Sequence, residues 1–465
     1  MRRYGIETEY GFLVEGHGAA DQVELARDAV RLAPGFADRW DYSREHPRRD
    51  LRGFSVEALQ VDPTDWKFEE GSRARQSSAD TRADRVLSSG ARFYNDHGHP
   101  EFATRECATL AELVAQDRAG EEFVRQVCAL YAQQSGRRVE VYKNNTDFHG
   151  ASYGTHENYL APRHLGFDGL APVLIPMLIA RTVLCGAGKV GREAGPECDF
   201  QLSARADFFS ETASVDTLFK RPLMNTRDEP HAPENDWIRV HVITGDANMM
   251  PGCTARKVAL AQLALDLAAQ GWKPPRLENP VAAFQQVSRE ECFRLADGSF
   301  ETADGLLWRY LDAAGEAPIA HHCRRLLDLL AEDWRLAAPE IDWAAKRFLI
   351  EHAGTDSLAE QRSLDLAYHS LDPETSLYAG LEGSGWVANP ALPNEPKVIT
   401  RGQVRGHFVS QFAEAVEAVT WSAIRLRGGR TIELRIETDY PASILATSDV
   451  ESCISLTEQA HGNSS

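Results

Sequence analysis

The sequence predicts an α+β fold from three features of its patterning. Short β-like runs alternate with amphipathic helices through the N-terminal two thirds, the stretch from about 301 to 369 turns mostly helical, and a helix followed by a strand reads as a small α+β unit near the C-terminus. These shifts divide the chain into a large domain over 1–377, with an insertion at about 40–85 and a helical subdomain at 301–369, and a small domain over 399–465. At 465 residues the chain exceeds the ~250–300 at which one core stops growing, so two units are expected.

The strand candidates are Arg3–Leu13, Val86–Asn95, Val139–Thr146 and Trp237–Gly245. Leu110, Leu113, Val114, Phe123, Val124, Val127, Cys128 and Tyr131 recur near the helical period, and Val258–Ala269 reads as a second, strongly apolar helix. In the helical stretch Leu306, Tyr310, Leu326, Leu330 and Leu349 carry the period. Glycine and proline at short intervals mark Tyr378–Pro396 as a linker, after which Val404–Val419 reads as helix and Thr431–Ile436 as strand.

Composition excludes several classes. A formal charge of −19 argues against non-specific nucleic-acid binding, which draws on basic surface to displace counterions. The most apolar stretch, Leu170–Leu184, is interrupted by Pro172, Pro176 and Arg181 and falls short of the ~18 apolar residues a membrane span needs. No apolar core follows Arg2 and Arg3, so no secretory signal is expected. Eight scattered cysteines without a CxxC pair fit reduced thiols in a cytoplasm better than a zinc knot or disulfide framework.

Alternation along the strands carries the functional signal. In GIETEYG, Glu7 and Glu9 share a face, with Ile6, Thr8 and Tyr10 opposite. In GARFYND, Arg92, Tyr94 and Asp96 line up, and Glu101 follows within a short turn; in WIRVHV, Arg239 and His241 oppose Val240 and Val242. An isolated E-x-E more often marks a solvated edge, and a lone histidine is more often a satisfied core residue. Three polar faces together would be costly to bury unless they converge on a ligand. Carboxylate oxygens suit Mg²⁺, and arginines suit phosphate.

Other features are less specific. Gly186–Gly191 matches GxGxxG but follows an apparent helix and reads as a turn. Arg205, Arg221 and Arg227 fit a phosphate clamp and an alternating-charge surface equally, and Trp421 by itself reads as core.

The segments GIETEYG, GARFYNDHGHPEFAT, YKNNTDFHGASYGTHENYL, FKRPLMNTRDEPHA and RVHVITGDAN occur in an order that resembles the Pup ligase and Pup deamidase/depupylase family. DWAAKRFLIE and VTWSAIRL extend the likeness through nearly the whole chain. The resemblance implies a glutamine-synthetase-like fold: a curved, mainly antiparallel sheet cradling ATP and Mg²⁺, packed by helices, with a small C-terminal domain. It implies that Asp96 is catalytic and that Glu7, Tyr94, Glu101, His156 and His241 bind metal. Glu9, Arg92, Thr104, Arg205, Arg227, Arg239 and Trp421 correspond to positions around the cofactor.

Two activities share this cradle in the family. The ligase joins the C-terminal glutamate of Pup to a lysine, and the hydrolase cleaves a C-terminal glutamine amide or that isopeptide bond. The DHGHPE spacing from Asp96 to Glu101, the YKNNTD…THENYL segment and the WDYSREHPRRDLRGF insertion all resemble the hydrolase; Asn95 departs from it, standing where an apolar residue is usual. The expected partners are Pup or a Pup-like modifier and pupylated proteins, held by a local basic groove, with no nucleic acid or membrane involved. The alternatives are a Pup ligase and a small-molecule carboxylate–amine ligase.

Overall fold

A computed structural model of the chain describes residues 2–18, 21–59, 81–147, 150–217, 220–229, 231, 236–388, 392 and 397–462. Residues 60–80 of the insertion, 389–391 and 393–396 of the linker, and the last three residues, 463–465, lie outside the described residues. The strands are β1 (Tyr4–Glu9), β2 (Gly11–Val14), β3 (Phe36–Ala37), β4 (Arg85–Val86), β5 (Arg92–Asp96), β6 (His99–Ala103), β7 (Val139–Tyr142), β8 (Thr155–Pro162), β9 (Lys189–Val190), β10 (Phe200–Gln201), β11 (Phe209–Ser214), β12 (Arg221–Asn225) and β13 (Trp237–Val242). Nine of these form one sheet in the order β11-β12-β13-β8-β1-β6-β5-β4-β3. Every neighbouring pair is antiparallel except β11 and β12. The mainly antiparallel cradle expected of the α+β fold is therefore present.

Helices cover the apolar face of this sheet. Helix Pro251–Ala269 is buried along almost its full length, as its lack of a polar stripe requires. It packs with helix Gly166–Ala180, the apolar stretch that contains Pro172 and Pro176, in the largest core cluster. Among the described residues no helix is long and apolar enough to cross a membrane. Helix Leu110–Ser135 starts where Thr109 Oγ1 accepts from the Glu112 amide and ends at Gly136, whose φ of 65° suits a residue without Cβ.

The C-terminal unit has its own core. Strands Val416–Val419, Ala423–Leu426 and Thr431–Glu433 form a sheet against helices Arg401–Gln411 and Val450–Gly462, and Trp40 and Val86 enter that core from outside it. Gly90 lets the unit approach: its φ is 85°, and a Cβ there would lie 1.8 Å from the Gly402 carbonyl oxygen. Below this contact Glu106 accepts from Arg401 Nε at 2.6 Å and from Arg405 Nη2 at 3.0 Å, all three residues being buried.

Several expected elements differ in extent. The first strand breaks at Tyr10, whose amide turns to the Pro100 carbonyl, and β2 pairs instead with β7. The Val86–Asn95 run is two strands joined through the Gly90 turn. The predicted Val404–Val419 helix stops at Gln411, because Val416 and Val419 pair with Leu426 and Ile424 in the small sheet. The linker begins with helix Leu377–Gly383, capped by Ser376 Oγ. Strand β8, which lies between β13 and β1 in the large sheet, is not among the strands predicted from the sequence.

Candidate active site

Register builds the site row by row. Glu101 on β6 stands opposite Glu9 on β1 and Tyr94 on β5. One step along, Glu7 stands opposite His156 on β8, and next to it Asn158 stands opposite His241 on β13. Because alternate residues share a face, these side chains rise together above the apolar layer that holds Ile6, Val240 and Val242. Of these, Glu7, Tyr94, Glu101, His156 and His241 line a cleft of about 530 Å³ with Arg92, Asp96, Arg227, Arg239 and Trp421.

Two groups of potential ligands lie in this cleft. The donor atoms of Glu7, His156 and His241 lie within 4.8 Å of one another, and so do those of Glu9, Asp96 and Glu101. His241 is 4% exposed, and among the described residues neither ring nitrogen has a hydrogen-bond partner. Burial and the charge of Arg239 push its pKa well below the ordinary histidine value, which leaves a neutral imidazole with a free lone pair. Burial opposes ionisation of Glu7, but the neighbouring His156, 3.8 Å away, and the charge of Arg239 hold it well below the carboxylate range.

The carboxylate group is electrostatically frustrated. Burial and the charges of Asp96, Glu9 and Glu7 push Glu101 well above the carboxylate range, although Tyr94 donates to its Oε1 at 2.6 Å. Asp96 is the opposite case: burial disfavours its charge, yet His97 and Arg82 outweigh that and keep it ionised. His97 Nδ1 lies 3.0 Å from Asp96 Oδ2 and Arg82 Nη1 lies 3.8 Å from Oδ1. A divalent cation between the acids would remove the repulsion, so the donor set fits a hard metal ion.

The arginines fall into two kinds. Arg239 donates to Asn158 Oδ1 at 2.7 Å and to Glu229 Oε2 at 2.5 Å and reaches Glu7 at 3.3 Å. Arg227 donates to the Val215 carbonyl at 2.7 Å, and both arginines border the cleft. Arg205 does not join them. It is 1% exposed and donates to the carbonyls of Ile243 and Gly245 and to Ser152 Oγ, so its guanidinium serves the backbone behind Glu9. Thr104 is also withdrawn: its Oγ1 accepts from the Ile6 amide, and it lines a smaller cavity of about 70 Å³. That cavity shares Glu7, His231, Arg239 and Trp421 with the main cleft. Trp421 is half-buried rather than core, edge-on to Trp40 at 4.8 Å.

Sequence reasoning missed Asn158, Glu229, Arg82 and Asp84. Asn158 was recoverable, since it lies two residues from His156 on one strand and so shares its face. Asn95, the departure from the family pattern, is buried and ties three backbone groups: it donates to the carbonyls of Val23 and Thr81 and accepts from the Gly98 amide.

The chain matches the family model described as Pup-ligase protein over residues 2–425. It is 35% identical over 463 residues to a depupylase of Acidothermus cellulolyticus, covering 91% of this chain and 90% of that protein. It is 33% identical over 503 residues to a Pup deamidase/depupylase of Mycolicibacterium smegmatis, covering 99% of each. Among solved structures it is similar to the ligase PafA in complex with Pup, with a TM-score of 0.74 and 26% identity over 99% of this chain and 92% of that one. It is also similar to the Pup ligase PafA in complex with ADP, with a TM-score of 0.69 and 26% identity over 88% of this chain and 96% of that one.

Proposed function

The chain belongs to the Pup-ligase protein family, and from that premise we propose that it is an ATP- and Mg²⁺-dependent hydrolase of the Pup system. It deamidates a C-terminal glutamine of Pup, cleaves the Pup–lysine isopeptide bond, or both. The observation that carries the reading is the convergence of Glu7, His156 and His241, and of Glu9, Asp96 and Glu101, into two ligand groups on one face of the sheet. Full-length likeness to proteins named depupylase and Pup deamidase/depupylase supports the hydrolytic direction.

In this reading Glu7, Tyr94, Glu101, His156 and His241 hold the metal, while Glu9, Arg92, Arg227, Arg239 and Trp421 surround the nucleotide. Bound magnesium supplies positive charge against the oxyanion that develops on the scissile carbonyl. Asp96 acts on the carbonyl carbon, as nucleophile or by orienting water. The C–N bond breaks, water adds hydroxyl to the acyl carbon, and the departing nitrogen leaves as ammonia or as the lysine amine. His97 and Arg82 keep Asp96 ionised before the attack.

The likeness to ligase structures favours one second reading, that of a Pup ligase. Parallel incubations with glutamine-ended Pup, and with glutamate-ended Pup plus a lysine-bearing acceptor protein, each with ATP and Mg²⁺, separate the two. A hydrolase converts the terminal amide to the acid without ADP accumulating in step with product. Isopeptide formation with one ADP per bond, and no amide cleavage, would establish the ligase instead.

A further inference from the structure

The described part of the insertion spans the cleft and grips an arginine on each side. At its start Trp40 and Tyr42 hold Arg92. The guanidinium carbon lies 4.2 Å from the ring centroid of Trp40 and 4.2 Å from that of Tyr94. Arg92 Nη2 donates to the Tyr42 hydroxyl at 2.6 Å, that hydroxyl donates to Asp84, and Arg92 Nε donates to Asp84 at 2.8 Å.

Further along, the insertion holds the backbone that carries Arg227. Asp50 and Arg227 form an antiparallel bridge, the Leu51 amide donates to the Thr226 carbonyl at 2.8 Å, and the Asp228 amide donates to the Arg49 carbonyl at 2.8 Å. The Asp50 carboxylate, 1% exposed, accepts from Thr226 Oγ1 at 2.6 Å. A solvated surface loop has no need of a buried acid anchored in this way.

We propose that Tyr42 and Asp50 are positioning residues for phosphate recognition: by fixing Arg92 and Arg227 on opposite walls, the insertion sets the affinity of the cleft for a nucleoside polyphosphate. The inference rests on the nucleotide role proposed above but assigns the insertion to the nucleotide rather than to the choice between hydrolase and ligase. An arginine fixed before binding loses less side-chain entropy when it meets a phosphate. The effect falls on the phosphates and leaves the nucleoside untouched.

Binding of ADP and of adenosine to full-length protein, measured by calorimetry with Mg²⁺ present, tests this. Tyr42→Phe and Asp50→Asn each weaken ADP by about tenfold and leave adenosine within about twofold of the unaltered protein. Thr226→Val, which removes the Asp50 partner outside the insertion and leaves the Arg52 contacts of Asp50 in place, follows Asp50→Asn and covers the case in which that variant fails to fold. Equal weakening of ADP and adenosine, or no weakening of either, overturns the inference. Absence of ADP binding in the unaltered protein would strike the nucleotide reading itself.

Discussion

Tyr94 on β5 and Glu101 on β6 stand in direct register, and the phenol donates to the carboxyl at 2.6 Å. That single donor cannot offset burial and the neighbouring charges of Asp96, Glu9 and Glu7. The metal-free site is thus a place where function opposes stability. Glu101→Gln is expected to raise the stability of metal-free protein by about 1 kcal/mol and to weaken divalent-cation affinity. Thermal melts with and without Mn²⁺ check both arms: the variant melts higher without metal and gains less from it.

Asp96 should separate chemistry from binding. Asp96→Asn keeps the shape but removes the charge, so amide cleavage falls by about 10²–10⁴-fold while ADP affinity stays within about twofold. Mass spectrometry of a glutamine-ended Pup, set beside ADP calorimetry, reads the two quantities. Residual turnover near that of the unaltered protein would remove Asp96 from the catalytic role.

Acid should loosen the attachment of the C-terminal unit. Burial alone would raise the pKa of Glu106, but the charges of Arg405 and Arg401 bring it down from 4.5 to about 2. A carboxyl depressed on folding contributes stability that is fully present above 4.5 and is lost as pH falls toward about 2. The stability advantage over Glu106→Gln therefore shrinks by about 3 kcal/mol across that window. Denaturant titrations of both proteins at several pH values measure the difference.

The Gly90 contact offers a backbone test. Gly90→Ala places a Cβ 1.8 Å from the Gly402 carbonyl at a φ of 85°, so it costs about 3 kcal/mol or more. Gly53→Ala also has positive φ, at 92°, but among the described residues nothing lies within 4 Å of its Cβ, so it costs less. Melting of the two variants side by side separates steric exclusion from backbone strain.

What was legible in the sequence was local alternation. Glu7, Arg92 with Asp96, and Arg239 with His241 fall on cleft-lining positions because a period of two is a property of each strand by itself. Non-local consequences were not legible. Arg205 looks like any other arginine in a polar stretch, and only the fold reveals that the carbonyls of Ile243 and Gly245 occupy its guanidinium. Strand β8 falls outside the strands predicted from the sequence, although THENYLAP alternates, and with it the pairing that sets His156 against Glu7. The Val404–Val419 stretch was assigned to helix throughout because its β-branched end declares itself only through its partners in the small sheet.

The central claim is that distant acids and imidazoles meet around a metal–nucleotide complex in this one cleft. Anomalous diffraction from crystals grown with ADP and Mn²⁺ tests it most directly. The account predicts a manganese peak between Glu7, His156 and His241, with the nucleotide phosphates facing Arg227 and Arg239. Manganese bound elsewhere, with those three side chains empty in the presence of ADP, would contradict it.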